Sequence, residues 1–163
     1  MKFIHCPYCG KKLVQKSIGD EGLMSFCNFC DRPIFDMSYT CTITLVTNEL
    51  GEVALIKQGY VSQTNYVLIA GYMKSGESAE LTAFREVEEE IGLRPTSLQY
   101  IKSYFYEKRD MLMMGFVANA DKKEFQISGE VDAAEWFTIE EALTKLKEGS
   151  IAMQLLLDYI SSL

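Results

Sequence analysis

Two periods of hydrophobicity alternate along the chain and divide it into strands and helices. "YTCTITLV" and "EVALIKQ", joined by "TNELG", are rich in β-branched residues and predict a strand–turn–strand pair. "NYVLIAGYM" predicts a further strand ending near Gly71, and "LQYIKSYFYEKRDMLMMGFVANA" two more around a charged turn at Glu107 to Asp110. "AAEWF" closes another strand. Between them "SAELTAFREVEEEIGL" switches to a helical period, with Ser78 placed to cap it, Glu80 in its first turn and Gly92 at its end. Thr138 and Glu141 form a capping box opening a short helix, Thr138 to Glu148, and "SIAMQLLLDYISSL" predicts a last amphipathic helix. Strands and helices are mixed without strict alternation. The expected class is therefore α+β, an α/β/α sandwich around a mixed sheet.

The texture differs before residue 38. Cys6, Cys9, Cys27 and Cys30 repeat as C-x2-C-x17-C-x2-C, the spacing of a four-thiolate zinc site. Each C-x2-C aims two sulfurs at one ion, and Gly10 can take the positive φ that such a knuckle needs. A redox pair in "CPYC" competes, but it calls for a long helix after the cysteines and no second pair, and "GKKLVQKSIGDEG" is a poor helix. Two short strand-like pieces around a Gly/Asp turn suit a ribbon. Four thiolates leave no open position, so this Zn²⁺ would be structural. Cys41 reads as a small buried residue and His5 as a bystander. The expected domains are a zinc ribbon over 1–37 and a second domain over 38–163.

Composition narrows what the second domain can meet. Among 163 residues no apolar run approaches eighteen, so no membrane span is expected. "MKFIHCPYCG" has no signal-peptide core, so a cytoplasmic location, where thiols stay reduced, is expected. A net charge of −7 disfavours extended nucleic acid. A small anionic ligand remains compatible if a metal ion brings the positive charge.

The candidate chemistry lies on the first long helix. Glu86, Glu89 and Glu90 occupy i, i+3 and i+4, with Thr82 above them; Phe84, Val87 and Ile91 gather on the opposite side, placed to anchor the helix. A solvated acidic face is the competing reading. The wider run "GYMKSGESAELTAFREVEEEIGL" fills every specified position of G-x5-E-x7-R-E-U-x-E-E-x-G-U, with U a bulky aliphatic. This resembles the signature of the Nudix hydrolases. Clustered carboxylates suit hard cations such as Mg²⁺ or Mn²⁺, which take oxygen ligands and can draw in a pyrophosphate. The resemblance implies hydrolysis of a phosphoanhydride, with Glu86, Glu89, Glu90 and the Gly71 carbonyl holding the metal and with Arg85 and Glu77 bracing the loop. It leaves open which carboxylate acts as general base. "GEVDAAEWF" resembles a downstream segment that carries a further acid, for which Glu130 is the candidate, against a plain surface residue.

A four-cysteine ribbon before such a domain resembles the NADH pyrophosphatase branch of that family. The resemblance implies cleavage of a dinucleotide into two mononucleotides, a homodimer, and for some members action on NAD-capped RNA. The favoured substrate is a nucleoside diphosphate derivative, NADH/NAD-like or ADP-ribose. The alternatives are a non-catalytic nucleotide-sensing or docking module and NAD-cap removal from RNA. Tyr72 matches an aromatic position against a base, against the reading of a tyrosine that merely ends a strand, and Ala152 matches a small residue lining the pocket. The branch's proline- and tryptophan-rich run is replaced by "SYFYEKRDM", where Ser103 is kept, Tyr106 stands at the tryptophan position and the prolines are gone. A more polar, less rigid loop is expected there.

Overall fold

The computed structural model describes residues 2–163, which form two compact units, one ending at Ser38 and one running from Tyr39 to Leu163. The first is a three-stranded antiparallel sheet of β1 (Val14–Ser17), β2 (Leu23–Cys27) and β3 (Arg32–Pro33). Its core is small: Cys6, Cys27 and Ile34 are buried, with Phe3 and Leu13 packed beside them. Cations cover some of its rings, Arg32 lying 4.8 Å over Tyr8 and Lys16 3.9 Å over Phe26. A unit this short does not bury enough apolar surface to hold itself together and needs a further constraint.

The second unit is a mixed six-stranded sheet between helices. Its strands are β4 (Tyr39–Thr47), β5 (Val53–Lys57), β6 (Ile69–Tyr72), β7 (Ser97–Tyr106), β8 (Met111–Asn119) and β9 (Ala133–Phe137). The order is β7-β8-β4-β5-β9, with β6 also paired to β4. β4 and β8 are parallel from Tyr39↔Met111 to Thr47↔Asn119; the other pairings are antiparallel. The expected β4–β5 hairpin is short, pairing only Val46↔Ala54 and Thr47↔Val53, because β6 takes over β4 from Cys41 to Thr44. The run from Ser103 to Tyr106 is not an open loop: it finishes β7, and only Glu107–Arg109 and Asp110 turn the chain back.

Strand alternation splits the core in two. Leu45, Leu55 and Val117 face α2 (Ile139–Lys145) and α3 (Ile151–Ile160), packing with Ala142, Leu155 and Leu156. Val46, Ile56, Ile69 and Ala118 face α1 (Ala79–Ile91), packing with Val87 and Ile91. This is the expected α/β/α sandwich. Phe84 departs from its expected role, being only half-buried, while Ala79 and Ala83 complete the anchor of α1. α2 ends at Lys145, short of Glu148, because Leu146 turns extended, becomes buried and bridges Tyr66. No helix among the described residues is long and apolar enough to cross a membrane.

Candidate functional site

The motif residues converge on α1, the loop before it and the end of β6. Ser78 caps the helix, its Oγ accepting from the Leu81 N–H. Gly92 ends it in the left-handed region at φ 68°, where a Cβ would also lie 2.6 Å from the Gln126 Cβ. With both ends fixed, the register of the acidic side chains is fixed too.

Arg85 organises the loop. Its guanidinium donates to both oxygens of Glu77, at 2.8 and 2.9 Å, to Glu86 at 2.6 Å, to Glu89 at 2.9 Å and to the Tyr72 carbonyl at 3.1 Å. Glu77 also accepts from the Lys74 N–H and the Thr82 hydroxyl. The Arg85 guanidinium, above all, holds the Glu77 carboxyl down to about 2, and Glu77 in turn raises the arginine well above its ordinary value. A loop tied to a helix through a bidentate ion pair is a stiff support.

The three helix glutamates differ sharply in environment. Glu89 is half exposed and also lies 3.8 Å from Lys74, whereas the Glu86 side chain is largely covered and that of Glu90 is buried. Glu86 rests directly on Gly71, where a Cβ would fall 1.9 Å from the carboxyl carbon, so no residue with a side chain fits there in this arrangement. Glu90 accepts one hydrogen bond, from the Gln58 amide at 3.0 Å, and its Oε2 has no partner. Burial, followed by the charges of Glu86, Glu130 and Glu89 and opposed by the Gln58 bond, pushes Glu90 up to about 7. A buried carboxylate with an orphaned oxygen beside other acids is under-satisfied, and a hard divalent cation would relieve it. The donors are carboxylate oxygens, the kind a hard divalent cation takes.

The remaining candidates lie around this cluster. Glu130 is exposed on the turn before β9, near enough to act electrostatically on Glu90 and Tyr60. Tyr72 is half exposed and meets Tyr39 edge to face, ring centres 5.9 Å apart. Tyr106 closes β7, and Ala152 is buried in the first turn of α3. Nothing in "KQGY" marks Gln58 and Tyr60 in the sequence, since their relation to Glu90 arises only when β5 lies beside α1.

In the first unit the four sulfurs Cys6, Cys9, Cys27 and Cys30 lie within 4.8 Å of one another, with Cys6–Cys30 at 3.9 Å and Cys9–Cys27 at 3.5 Å. Thiolates about 2.3 Å from one zinc ion in a tetrahedron sit about 3.8 Å apart, so the donor set and spacing fit zinc. Cys30 is pushed up to about 12 by its Cys9 neighbour and by burial. For Cys6 burial acts upward, but the N–H groups of Tyr8 and Cys9 bring it down to about 7. Thiols that oppose one another's ionisation call for a shared cation. Cys41, on β4 of the second unit, is buried, and burial raises it to about 11.

The sequence profile of the NUDIX domain matches residues 39–157. The chain belongs to the NUDIX family. Among relatives, the NAD-capped RNA hydrolase NudC of Vibrio parahaemolyticus is 27% identical over 159 residues, covering 97% of this chain and 60% of the relative. The NudC of Mycobacterium tuberculosis is 36% identical over 109 residues, 66% of this chain and 35% of the relative. The NUDIX chain thus spans between a third and two thirds of the length of these relatives. Among solved structures, a NUDIX hydrolase from Nitrosomonas europaea superposes with a TM-score of 0.73 at 19% identity, covering 98% of this chain and 92% of that one. The NUDIX domain of Shewanella oneidensis NrtR, complexed with ADP ribose, gives 0.68 at 14% identity, covering 78% and 90%. NUDIX enzymes use divalent metals, which agrees with the carboxylate cluster.

Proposed function

We propose that this chain is a divalent-metal-dependent pyrophosphohydrolase acting on a nucleoside diphosphate derivative, with an NADH/NAD-like dinucleotide or ADP-ribose favoured. The observation that carries the reading is the buried Glu90 carboxylate, one oxygen held by Gln58 and the other without a partner, beside Glu86, Glu89 and Glu130. Glu86, Glu89, Glu90 and the Gly71 carbonyl would hold Mg²⁺ or Mn²⁺, which when bound supplies charge neutralisation at the phosphoanhydride and activation of water. Arg85 keeps Glu86 and Glu89 oriented while Glu77 keeps Arg85 in place. Glu130 stands ready to take a proton or add an oxygen ligand from across the cluster. Tyr72 offers an exposed ring on which a base can stack, with Tyr106 and Ala152 as further substrate contacts.

In this reading residues 1–37 are a zinc ribbon stabilised by one Zn²⁺ and residues 38–163 the hydrolase domain. The protein is a cytoplasmic homodimer, a state that light scattering on the purified chain would check. Removal of an NAD cap from RNA is a second reading, favoured by the printed function of the NudC relatives. A purely nucleotide-sensing or docking module would not need the complete acidic set that is present.

The test is a panel of NADH, NAD, ADP-ribose and NAD-capped oligoribonucleotide, each with Mg²⁺ or Mn²⁺ and read as mononucleotide release. Turnover of at least one free nucleotide is expected, with Glu89→Gln lowering it 100-fold or more. No turnover of any member, or a Glu89→Gln variant within a few-fold of wild type, would reject the assignment.

A further inference from the structure

Gln58 follows β5 directly and is almost fully buried, at 3% exposure. A buried amide needs a reason to be there, because its polar atoms lose water on folding. Its Nε2 donates to Glu90 Oε1 at 3.0 Å, across 32 residues of sequence, and Glu90 itself is 5% exposed. Glu90 Oε2 is the one buried carboxylate oxygen without a partner among the described residues. One oxygen of the same group is thus held and the other left open.

The backbone around Gln58 makes the hold rigid. Its carbonyl accepts from the N–H groups of Val61, at 2.9 Å, and Ser62, at 3.0 Å, while Gly59 donates to Asp132 at 2.7 Å. The amide therefore projects from a pinned turn, whereas a long side chain on a loose loop would fix nothing. The choice of an amide also matters chemically. A lysine or arginine here would satisfy the same oxygen but neutralise Glu90 and compete with an incoming cation. An amide directs the carboxylate and leaves its negative charge for a ligand.

We propose that Gln58 is a positioning residue for the cation site: it locks Glu90 in the one rotation that presents Oε2 to the divalent metal. This rests on the reading of Glu90 as a metal ligand. Groups that orient a ligand in this way change metal affinity or activity by about 10–100-fold when removed. A merely structural glutamine would affect folding and leave metal affinity alone.

The experiment is titration of the full-length protein with Mn²⁺, following free Mn²⁺ by its paramagnetic resonance signal, for wild type, Gln58→Met, Gln58→Asn and Glu90→Gln. Methionine keeps the length and volume without a donor; asparagine keeps the amide but falls one methylene short. Both are expected to raise the Mn²⁺ Kd by about 10-fold or more. Velocity lost at limiting Mn²⁺ should return as the metal is raised. A folded Gln58→Met protein binding Mn²⁺ within twofold of wild type would overturn the proposal, and if that variant does not fold, Gln58→Asn decides by the same criterion. If Glu90→Gln also binds like wild type, the ligand assignment falls with it; if Glu90→Gln alone weakens binding, only the positioning role fails.

Discussion

Gly71 and Glu86 touch: the carboxylate lies where a side chain on residue 71 would begin, 1.9 Å from the position of a Cβ. The glycine is needed here for space, not for an unusual backbone angle. Gly71→Ala should displace Glu86, loosen its 2.6 Å bond to Arg85 and lower metal-dependent turnover by about 10–100-fold. Mn²⁺ titration and steady-state rates would check it. An unchanged rate would mean that Glu86 can work from another rotamer.

The contact was legible only as a motif. Helix α1 could be read in advance because its cap, its acidic spacing and its terminal glycine are local features, all within fifteen residues. The four cysteines were legible for the same reason. What could not be read was which glutamate is buried. Periodicity puts Glu89 and Glu90 on one face, yet Glu90 is covered, where it meets Gln58 from just after β5, 32 residues away, and Glu89 is half exposed. The parallel β4–β8 pairing and the early end of α2 at Leu146 are equally nonlocal. Local pattern sets elements, and partners distant in sequence set burial.

The Glu77–Arg85 pair sets a pH window. Glu77 is held at about 2 in the folded chain, against an ordinary value of 4.5, so its folded pKa is depressed. Its contribution to stability is fully present above about 4.5 and is lost as the pH falls toward about 2. Glu77→Gln should therefore lower the urea midpoint at pH 7, and the gap from wild type should close across that window. A gap that stays constant between pH 5 and pH 2.5 would show that the ionisation of Glu77 contributes nothing to folding.

The ribbon should depend on its metal. With little beyond Cys6, Phe26, Cys27 and Ile34 buried, residues 2–38 lack the core to fold unaided. Elemental analysis should find about one zinc per chain, and Cys27→Ser should lose it. Limited proteolysis of that variant should then cut within residues 2–38 while Tyr39–Leu163 resists. A zinc-free protein that protects the ribbon like wild type would refute the structural role.

The far face of the sheet offers a test of packing. Gly115 on β8 lies under the Tyr104 ring: a Cβ would come 2.7 Å from Tyr104 Cε2, 3.0 Å from the Lys102 carbonyl oxygen and 3.2 Å from Leu155 Cδ1. The ring cannot simply swing away, because the Tyr104 hydroxyl donates to Asp158 on α3 at 2.7 Å. Gly115→Ala should therefore destabilise the protein by about 1–3 kcal/mol, the usual cost of overpacking. For a chain of this size that is a fall in Tm of roughly 2–12 °C. Tyr104→Phe cuts the tether, so in that background the same alanine should destabilise less, a coupling that a double-mutant cycle by thermal unfolding would measure. Strictly additive losses would mean that the Lys102 backbone or Leu155, not the anchored ring, is what the methyl group meets.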